Sequence, residues 1–171
     1  RRWRMQQLLQ NATEEAALIS GANSLRMARE RFFRGEDVPA GLVPEQILKS
    51  WQRCLEQGLD AGDLLHVHDL TAAELRELHQ RNDELRHLCR PELATLRGDA
   101  KLTESVVILT DAQGTVLDAV GSTAFAGAAS QVALRPGVMW NEASTGTNAI
   151  GTALVERQPV VVHGAQHFHE P

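Results

Sequence analysis

The sequence predicts an α+β fold in which amphipathic helices accompany a small antiparallel sheet. Three observations predict it. Apolar residues recur at helical spacing through the first third of the chain, residues 105–120 have the form of a β-hairpin, and a segment rich in glycine and threonine precedes a run of valines at 160–162. At 171 residues the chain is long enough to bury a hydrophobic core.

The composition is that of an ordinary globular protein. Hydrophobic residues make up 43% and charged residues 23%, with a formal net charge of −5. This composition gives no indication of nucleic-acid binding. The sequence has neither the apolar run of roughly 20 residues that a membrane span needs nor the apolar core of a signal peptide. We therefore expect a cytoplasmic protein without a membrane partner. Because the chain begins at Arg1 and stops at Pro171, just after a predicted strand, we expect both ends to be cut.

The chain has two cysteines, Cys54 and Cys89, which are too few for a disulfide framework. A free cysteine usually behaves as a small core residue, so we favour two reduced and largely buried thiols over a redox pair.

Residues 3–33 carry an apolar stripe at mostly helical spacing. We interpret them as one long helix, or as two that join near Ser20 and Gly21, where glycine weakens a continuous helix. The apolar stripe must pack against another surface, which either a dimer partner or the rest of the chain would provide. Its members are Leu8, Ala12, Ile19, Ala22, Leu25, Ala28 and Phe32.

Pro44 opens a second helix, because its missing N–H costs nothing in the first turn. The apolar face of this helix is expected to end at Gly58, and Trp51 is expected to be a core residue. The other members of that face are Ile47, Leu48 and Leu55.

A loop follows over 59–70, in which His66 and His68 have no third metal ligand nearby and are more simply solvated or capping histidines. Thr71 and Glu74 then have the spacing of a capping box at a helix start. We expect a break before Pro91 and a helix end at Gly98. The predicted leucine stripe contains Leu75, Leu78, Leu85 and Leu88.

The hairpin is the clearest structural prediction. Residues 106–109 are continuously apolar, which predicts a strand buried on both faces, and residues 111–114 form a turn into a second strand over 115–120. We expect a short helix over 122–134 and a strand over 159–163. Three strands are too few to cover these helices, so the first strand would take a neighbour from beyond Pro171 or from a second copy, and the protein would oligomerise or expose an apolar edge.

The sequence gives little support for catalysis. It has no G-x-S-x-G elbow around Ser144, and residues 146–151 match neither the P-loop nor the dinucleotide-binding spacing. We therefore expect no catalytic residues. His163, His167 and His169 are weak metal-ligand candidates, because three imidazoles within a few residues can meet one ion, although histidines at a strand end more often form hydrogen bonds.

One phrase of the sequence is distinctive. Trp140, Asn141 and Glu142 are followed by Gly146-Thr147-Asn148, then by residues 150–154, I-G-T-A-L, and by a strand that ends in Val162-His163-Gly164. This motif resembles the GAF sensory domain of acetoin-catabolism-type, sigma-54-dependent transcriptional activators of the Fis family. Residues 50–54 resemble a second phrase of that family, and His163 and His167 belong to its pattern.

The resemblance implies a fold, a domain organisation and a function. Residues 71–171 would form a GAF-like antiparallel sheet that lacks its C-terminal strands, after a loop over 59–70 and an N-terminal helical region over 1–58 with a possible role in dimerisation. Such a domain precedes an AAA+ ATPase that acts on sigma-54 RNA polymerase, and a helix-turn-helix that binds promoter DNA. Neither is present in this chain, which would sense a small molecule and form a homo-oligomer without a cofactor.

GAF domains hold ligands in a cavity between the sheet and the helices and loops over it. The glycine-threonine helix and the valine strand after it would close over this hollow. Each candidate below also has a structural alternative, such as capping a helix. The candidate ligand-binding residues are Trp140, Asn141, Glu142, Thr145, Thr147, Asn148 and Ile150.

Two other functions remain open. The chain could be an interaction module whose pocket is filled by side chains and which works through dimer contacts. It could also be a metal or haem sensor, which the absorption spectrum would reveal. The identity of the effector is not readable from the sequence, because pocket specificity depends on the placement of a few side chains.

Overall fold

The computed structural model describes residues 20–63, 70–121 and 133–169, and in this part of the chain the fold is α+β, as predicted. The N-terminal helix α1 covers 20–33 of the described residues. It is followed by α2 (Glu45–Glu56), α3 (Ala72–Arg81), α4 (Asp83–Leu102), β1 (Val106–Thr110), β2 (Val116–Gly121), α5 (Glu142–Thr145), α6 (Ala149–Glu156) and a 3-10 turn over Gly164–Gln166. The predictions for residues 3–19, His66, His68 and 122–132 lie outside the described residues.

Within the described residues, α1 packs the later part of its apolar stripe on the chain itself, whereas Ala22 is exposed. Ala28 is buried, and Leu25 and Phe32 are partly buried against the same hydrophobic cluster. Gly21 is helical, and the choice between one long helix and two that join near Ser20 and Gly21 depends on residues before Ser20, which lie outside the described residues.

Trp51 is at the centre of the hydrophobic core, as predicted. Its indole is fully buried, lies 5.1 Å from the Phe32 ring and 5.6 Å from the Phe33 ring, and donates a hydrogen bond of 2.8 Å to the Gln166 carbonyl. The core therefore joins α1 and α2 to the C-terminal segment. Its buried members are Ala28, Val43, Ile47, Trp51, Cys54 and Phe168.

The capping box at the start of α3 is confirmed. The Thr71 hydroxyl accepts a hydrogen bond from the Glu74 amide at 3.3 Å, and the Thr71 amide donates to the Glu74 carboxylate at 2.8 Å. The predicted break before Pro91 is wrong, because α4 continues through it to Leu102. The break comes earlier, at Asn82, whose side-chain amide donates to the Leu78 carbonyl and ends α3.

This turn at Asn82 also changes which leucines are buried. Leu78 on α3 is buried, whereas Leu88 on α4 is 69% exposed and Leu85 is exposed as well. The predicted common stripe is therefore wrong beyond Leu78. The face of α4 that is half or fully buried follows a different helical spacing and contains Arg86, Cys89, Leu93, Leu96 and Ala100.

The hairpin is confirmed. Strand β1 pairs with β2 in antiparallel register, and α4 packs on both strands. The Asp111 carboxylate holds the turn by accepting hydrogen bonds from the Gln113 and Thr115 amides. The prediction that β1 is buried on both faces is wrong, since all five of its residues are only half-buried. Within the described residues β2 is its only strand partner.

Residues 137–140 lie along the start of β2. Hydrogen bonds run from the Val116 amide to the Val138 carbonyl at 2.9 Å and from the Gly137 amide to the Val116 carbonyl at 2.8 Å, and an isolated bridge joins Thr115 to Met139. This pairing fixes the position at which α5 begins.

The predicted strand over 159–163 is wrong. Val160 and Val162 pack against the core cluster and Val161 is 62% exposed, so the side chains alternate as they would in a strand. The backbone of 160–162, however, has no ladder partner in the described part of the chain. The alternation that suggested a strand reflects packing on the helices.

Candidate functional site

The distinctive segment folds into two short helices, and asparagines start both of them. The Asn141 side chain accepts a hydrogen bond from the Ser144 amide at 2.9 Å, at the start of α5. Asn148 accepts one from the Gly151 amide at 2.9 Å, at the start of α6. Asparagine is among the best N-cap residues because its side-chain oxygen satisfies an amide that the helix leaves unpaired. These two predicted ligand-binding residues therefore have structural roles.

Glu142 forms an ion pair that connects the segment to α2. Its side chain is 2% exposed, and both of its oxygens accept hydrogen bonds from the Arg53 guanidinium at 2.9 Å. The Ser50 hydroxyl donates to the same carboxylate at 2.6 Å. Arg53 also donates to Glu156 at 2.9 Å, so one arginine of α2 joins α5 to α6.

The hydroxyls around Glu142 continue this network. Because Ser50 has a single hydroxyl proton, which it donates to Glu142, it accepts from its other partners. These are the Thr147 hydroxyl at 2.7 Å and the Thr152 hydroxyl at 3.2 Å. All three hydroxyl residues are buried. The network therefore has internal partners for its donors.

The other four predicted ligand-binding residues differ in their surroundings. Thr145 is buried, donates to the Asn141 carbonyl and accepts from Asn148. The indole of Trp140 is half-buried, and its N–H donates to the Ala133 carbonyl at 3.1 Å. Thr147 belongs to the network around Glu142, and Ile150 is half-buried on α6.

Burial and pairing act in opposite directions on the pKa of Glu142. Burial raises it most, but the hydrogen bonds from Arg53, Ser50 and Thr152 together with the charge of Arg53 outweigh burial, so the pKa lies below its ordinary value of 4.5. The same contact raises the pKa of Arg53, chiefly through its hydrogen bonds to Glu142. The site is thus an ion pair at neutral pH.

We expect this ion pair to make stability depend on pH in the acid range. Since the pKa of Glu142 is lower in the folded state, its contribution is fully present above about pH 4.5 and is lost as the pH falls through the folded-state pKa. Urea unfolding from neutral pH to about pH 3 should show that wild type and Glu142→Gln converge towards low pH, because glutamine resembles the protonated side chain. An unchanged difference across this range would contradict the assignment.

A cavity of about 700 Å³ opens beside this network, at the hairpin turn. Three pieces of the chain meet there: the end of α3, the turn between β1 and β2, and the segment that leads into α5. A contact of 3.0 Å between the His79 ring and the Leu117 carbonyl holds α3 beside β2. The lining residues are Leu70, Leu78, Arg81, Asn82, Asp111, Gln113, Thr115, Gly137, Met139 and Ser144.

The seven predicted ligand-binding residues are not among those that line this cavity; their chain neighbours Met139 and Ser144 are. The expected hollow between the glycine-threonine helix and the valine segment is not where this cavity lies. Sequence reasoning missed Arg81, Asn82 and Gln113. The Asn82-Asp83 pair, a turn signal inside a helical pattern, could have indicated that the chain changes direction here.

The remaining candidates for metal or redox chemistry are the histidines and cysteines. Cys54 is buried as predicted, Cys89 is half-buried, and both are free. His167 lies 2.9 Å from the Gly164 carbonyl through Nδ1, and Nδ1 of His169 is buried without a partner among the described residues. No group of three potential metal ligands occurs in the described ranges. Nor does any described helix have the length and apolar character to span a membrane.

Comparison with known proteins identifies the family. Residues 21–170 match the family model described as MimR, N-terminal domain. The chain is 38% identical to the acetoin catabolism regulatory protein of Cupriavidus necator, over 71% of this chain and 18% of that protein. It is 33% identical to the propane 2-monooxygenase operon transcriptional activator MimR of Mycolicibacterium smegmatis, over 82% and 23%.

A third relative is the acetoin dehydrogenase operon transcriptional activator AcoR of Bacillus subtilis, at 27% identity over 81% of this chain and 23% of that protein. No solved structure matches the chain. The chain spans about a fifth of the length of these curated relatives, all of which are named as regulators of catabolism or activators of catabolic operons. It therefore belongs to the MimR N-terminal domain family, and is a regulatory N-terminal domain of the kind found in such activators.

Proposed function

We propose that this chain is the ligand-sensing domain of a sigma-54-dependent transcriptional activator with a GAF-like core. A small effector binds in the cavity at the hairpin turn and controls an AAA+ ATPase and a promoter-binding domain elsewhere in the full-length protein. The chain's own role is sensing rather than catalysis, in a cytoplasmic homo-oligomer that acts on sigma-54 RNA polymerase. The names of the relatives support the regulatory role.

The single observation that carries the ligand proposal is the cavity itself. Its volume of about 700 Å³ lies within the range of small-molecule sites, roughly 300–1,000 Å³. Its lining combines the apolar side chains of Leu70, Leu78 and Met139 with a few polar groups, as small-molecule sites generally do.

The contacts around α5 suggest how occupancy would reach the rest of the protein. Ser144, which lines the cavity, and Glu142, which pairs with Arg53 of α2, lie on the same four-residue helix. A ligand that shifts α5 would change the Arg53–Glu142 geometry and thereby the position of α2. Such a ligand acts by binding one of two arrangements more tightly than the other.

A cavity-filling substitution tests the location of the site. Met139→Trp places a larger side chain at the cavity wall, and we expect it to weaken effector binding by roughly tenfold or more, because the ligand and the indole cannot share the space. Thermal-shift screening against small alcohols, ketones, diols, carboxylic acids and aromatics would first identify a binder, since a ligand of the folded state raises its stability.

Met27→Trp is the matched control, because Met27 is an exposed methionine on α1 and does not line the cavity. Titration calorimetry should give the same affinity for wild type and Met27→Trp and a weaker one for Met139→Trp. Equal affinities for all three proteins would place the ligand site elsewhere.

A ligand-free dimerisation module is the second candidate. Leu88 and Leu102 on α4 are 69% and 86% exposed, and β1 is half-buried with one strand partner in the described part of the chain. A second copy of the chain could cover these side chains and pair with the open edge of β1. A screen without any binder, together with a dimer by light scattering, would favour this candidate.

A further inference from the structure

We propose that the ligand of this cavity carries a carboxylate, which Arg81 binds. The inference depends on the proposed sensing function and adds to it the chemical class of the effector: a small organic monocarboxylate with an apolar body. It follows from the charged and polar groups that line the cavity, and from which of them already have partners within the protein.

Among the described residues that line the cavity, Arg81 and Asp111 are the charged ones. Asp111 is 7% exposed, and one of its carboxylate oxygens accepts hydrogen bonds from the Gln113 amide at 3.0 Å and the Thr115 amide at 2.8 Å. These amides partly balance its negative charge, and their geometry defines the hairpin turn. The Asp111 carboxylate is therefore already used to hold the hairpin turn.

Arg81 has no comparable contact among the described residues. It is the last residue of α3, and its guanidinium forms no hydrogen bond or ion pair with another described residue. Arg86, one helical turn beyond the Asn82 turn, shows the contrast, because it makes two hydrogen bonds of 2.8 Å to Asp118. Among the described residues that line the cavity, Arg81 is thus a cation whose planar fork of donors is available, and a carboxylate is the group that such a fork binds in bidentate geometry.

The neighbouring residues fit the rest of such a ligand. Asn82 uses its amide nitrogen on the Leu78 carbonyl, which leaves its side-chain oxygen as an acceptor for a ligand hydroxyl. Leu70, Leu78 and Met139 provide apolar contact for a carbon body. Within the described lining, Arg81 can pair with one carboxylate, and a dicarboxylate would place its second charge against leucines or near Asp111, where its burial is unfavourable.

Matched pairs of probes test the charge requirement. We would titrate lactate against 1,2-propanediol, butanoate against 2-butanone, and benzoate against benzyl alcohol, with inorganic phosphate as an oxyanion that lacks a carbon body. Wild type should bind at least one carboxylate roughly tenfold or more tightly than its uncharged counterpart, as expected for a charge-assisted hydrogen bond.

Arg81→Gln should remove this preference, whereas Arg76→Gln should retain it. Arg76 lies on the same helix, is exposed and does not line the cavity, so the control has the same change of net charge. Retention of the carboxylate preference in Arg81→Gln would overturn the inference, and so would phosphate binding as tight as that of the best carboxylate.

The result also separates this inference from the proposed function. If the uncharged probes bind as tightly as the carboxylates and Met139→Trp weakens them, sensing in the cavity stands and the carboxylate assignment is overturned. If no probe binds wild type, the inference fails together with the proposed sensing function.

Discussion

Replacing Glu142 with alanine is expected to lower the free energy of unfolding by about 3–5 kcal/mol, the range found when one partner of a buried ion pair is removed. The substitution leaves the Arg53 guanidinium, which is largely covered by protein, without the two hydrogen bonds that it makes to this carboxylate. It also leaves the buried Ser50 hydroxyl without the acceptor of its proton. Urea unfolding followed by circular dichroism at neutral pH would measure the loss.

The control for this substitution is Glu77→Ala. Glu77 is exposed on α3, so its removal changes the net charge equally without opening a buried network, and we expect little change in stability. A similar small change for Glu142→Ala would show that the network contributes little to the fold.

A double-mutant cycle then separates the pair from its surroundings. Arg53→Met alone leaves Glu142 buried without its cation, so it should be nearly as costly as Glu142→Ala. The double variant buries neither charge, and should therefore lose clearly less stability than the sum of the single losses. Additive losses would mean that the two side chains do not stabilise each other.

The network around Glu142 also shows what the sequence could predict about the candidate site. The motif from Trp140 to Leu154 is recognisable in the sequence. However, asparagine and threonine beside glycine are typical both of ligand contacts and of helix caps. The same donors and acceptors serve either role. The structure gives Asn141, Thr145 and Asn148 partners within the segment, whereas Glu142 takes its partners from Ser50 and Arg53, about 90 residues away in the chain. This pairing depends on how distant segments pack, and a local sequence pattern carries no information about that.

The fold shows the same division between local and non-local information. The hairpin and the capping box were predictable because each depends on residues a few positions apart, such as the Asp111 turn and the Thr71–Glu74 pair. The predicted strand over 159–163 and the break before Pro91 were wrong, because a strand needs a partner elsewhere in the chain and because tertiary packing holds α4 together across its proline.

Gly151→Ala is the second substitution with a large expected effect. A Cβ atom at Gly151 would lie 2.6 Å from the Glu142 nitrogen and 2.8 Å from both the Asn141 carbonyl carbon and the Trp140 carbonyl oxygen. All three are backbone atoms, so no side chain can rotate away, and α6 has to move from the start of α5. We expect a loss of about 3 kcal/mol or more, at or above the upper part of the usual range for overpacking.

Gly98→Ala in α4 is the control, because it is also a helical glycine but has open space around the position of its Cβ atom. Alanine should there stabilise the protein by about 0.5–1 kcal/mol, through its higher helix propensity. Opposite signs for the two substitutions would confirm that Gly151 is required for the close approach of α6 to α5 and not for chain flexibility. If Gly151→Ala were as harmless as Gly98→Ala, the close contact between these two helices would be wrong.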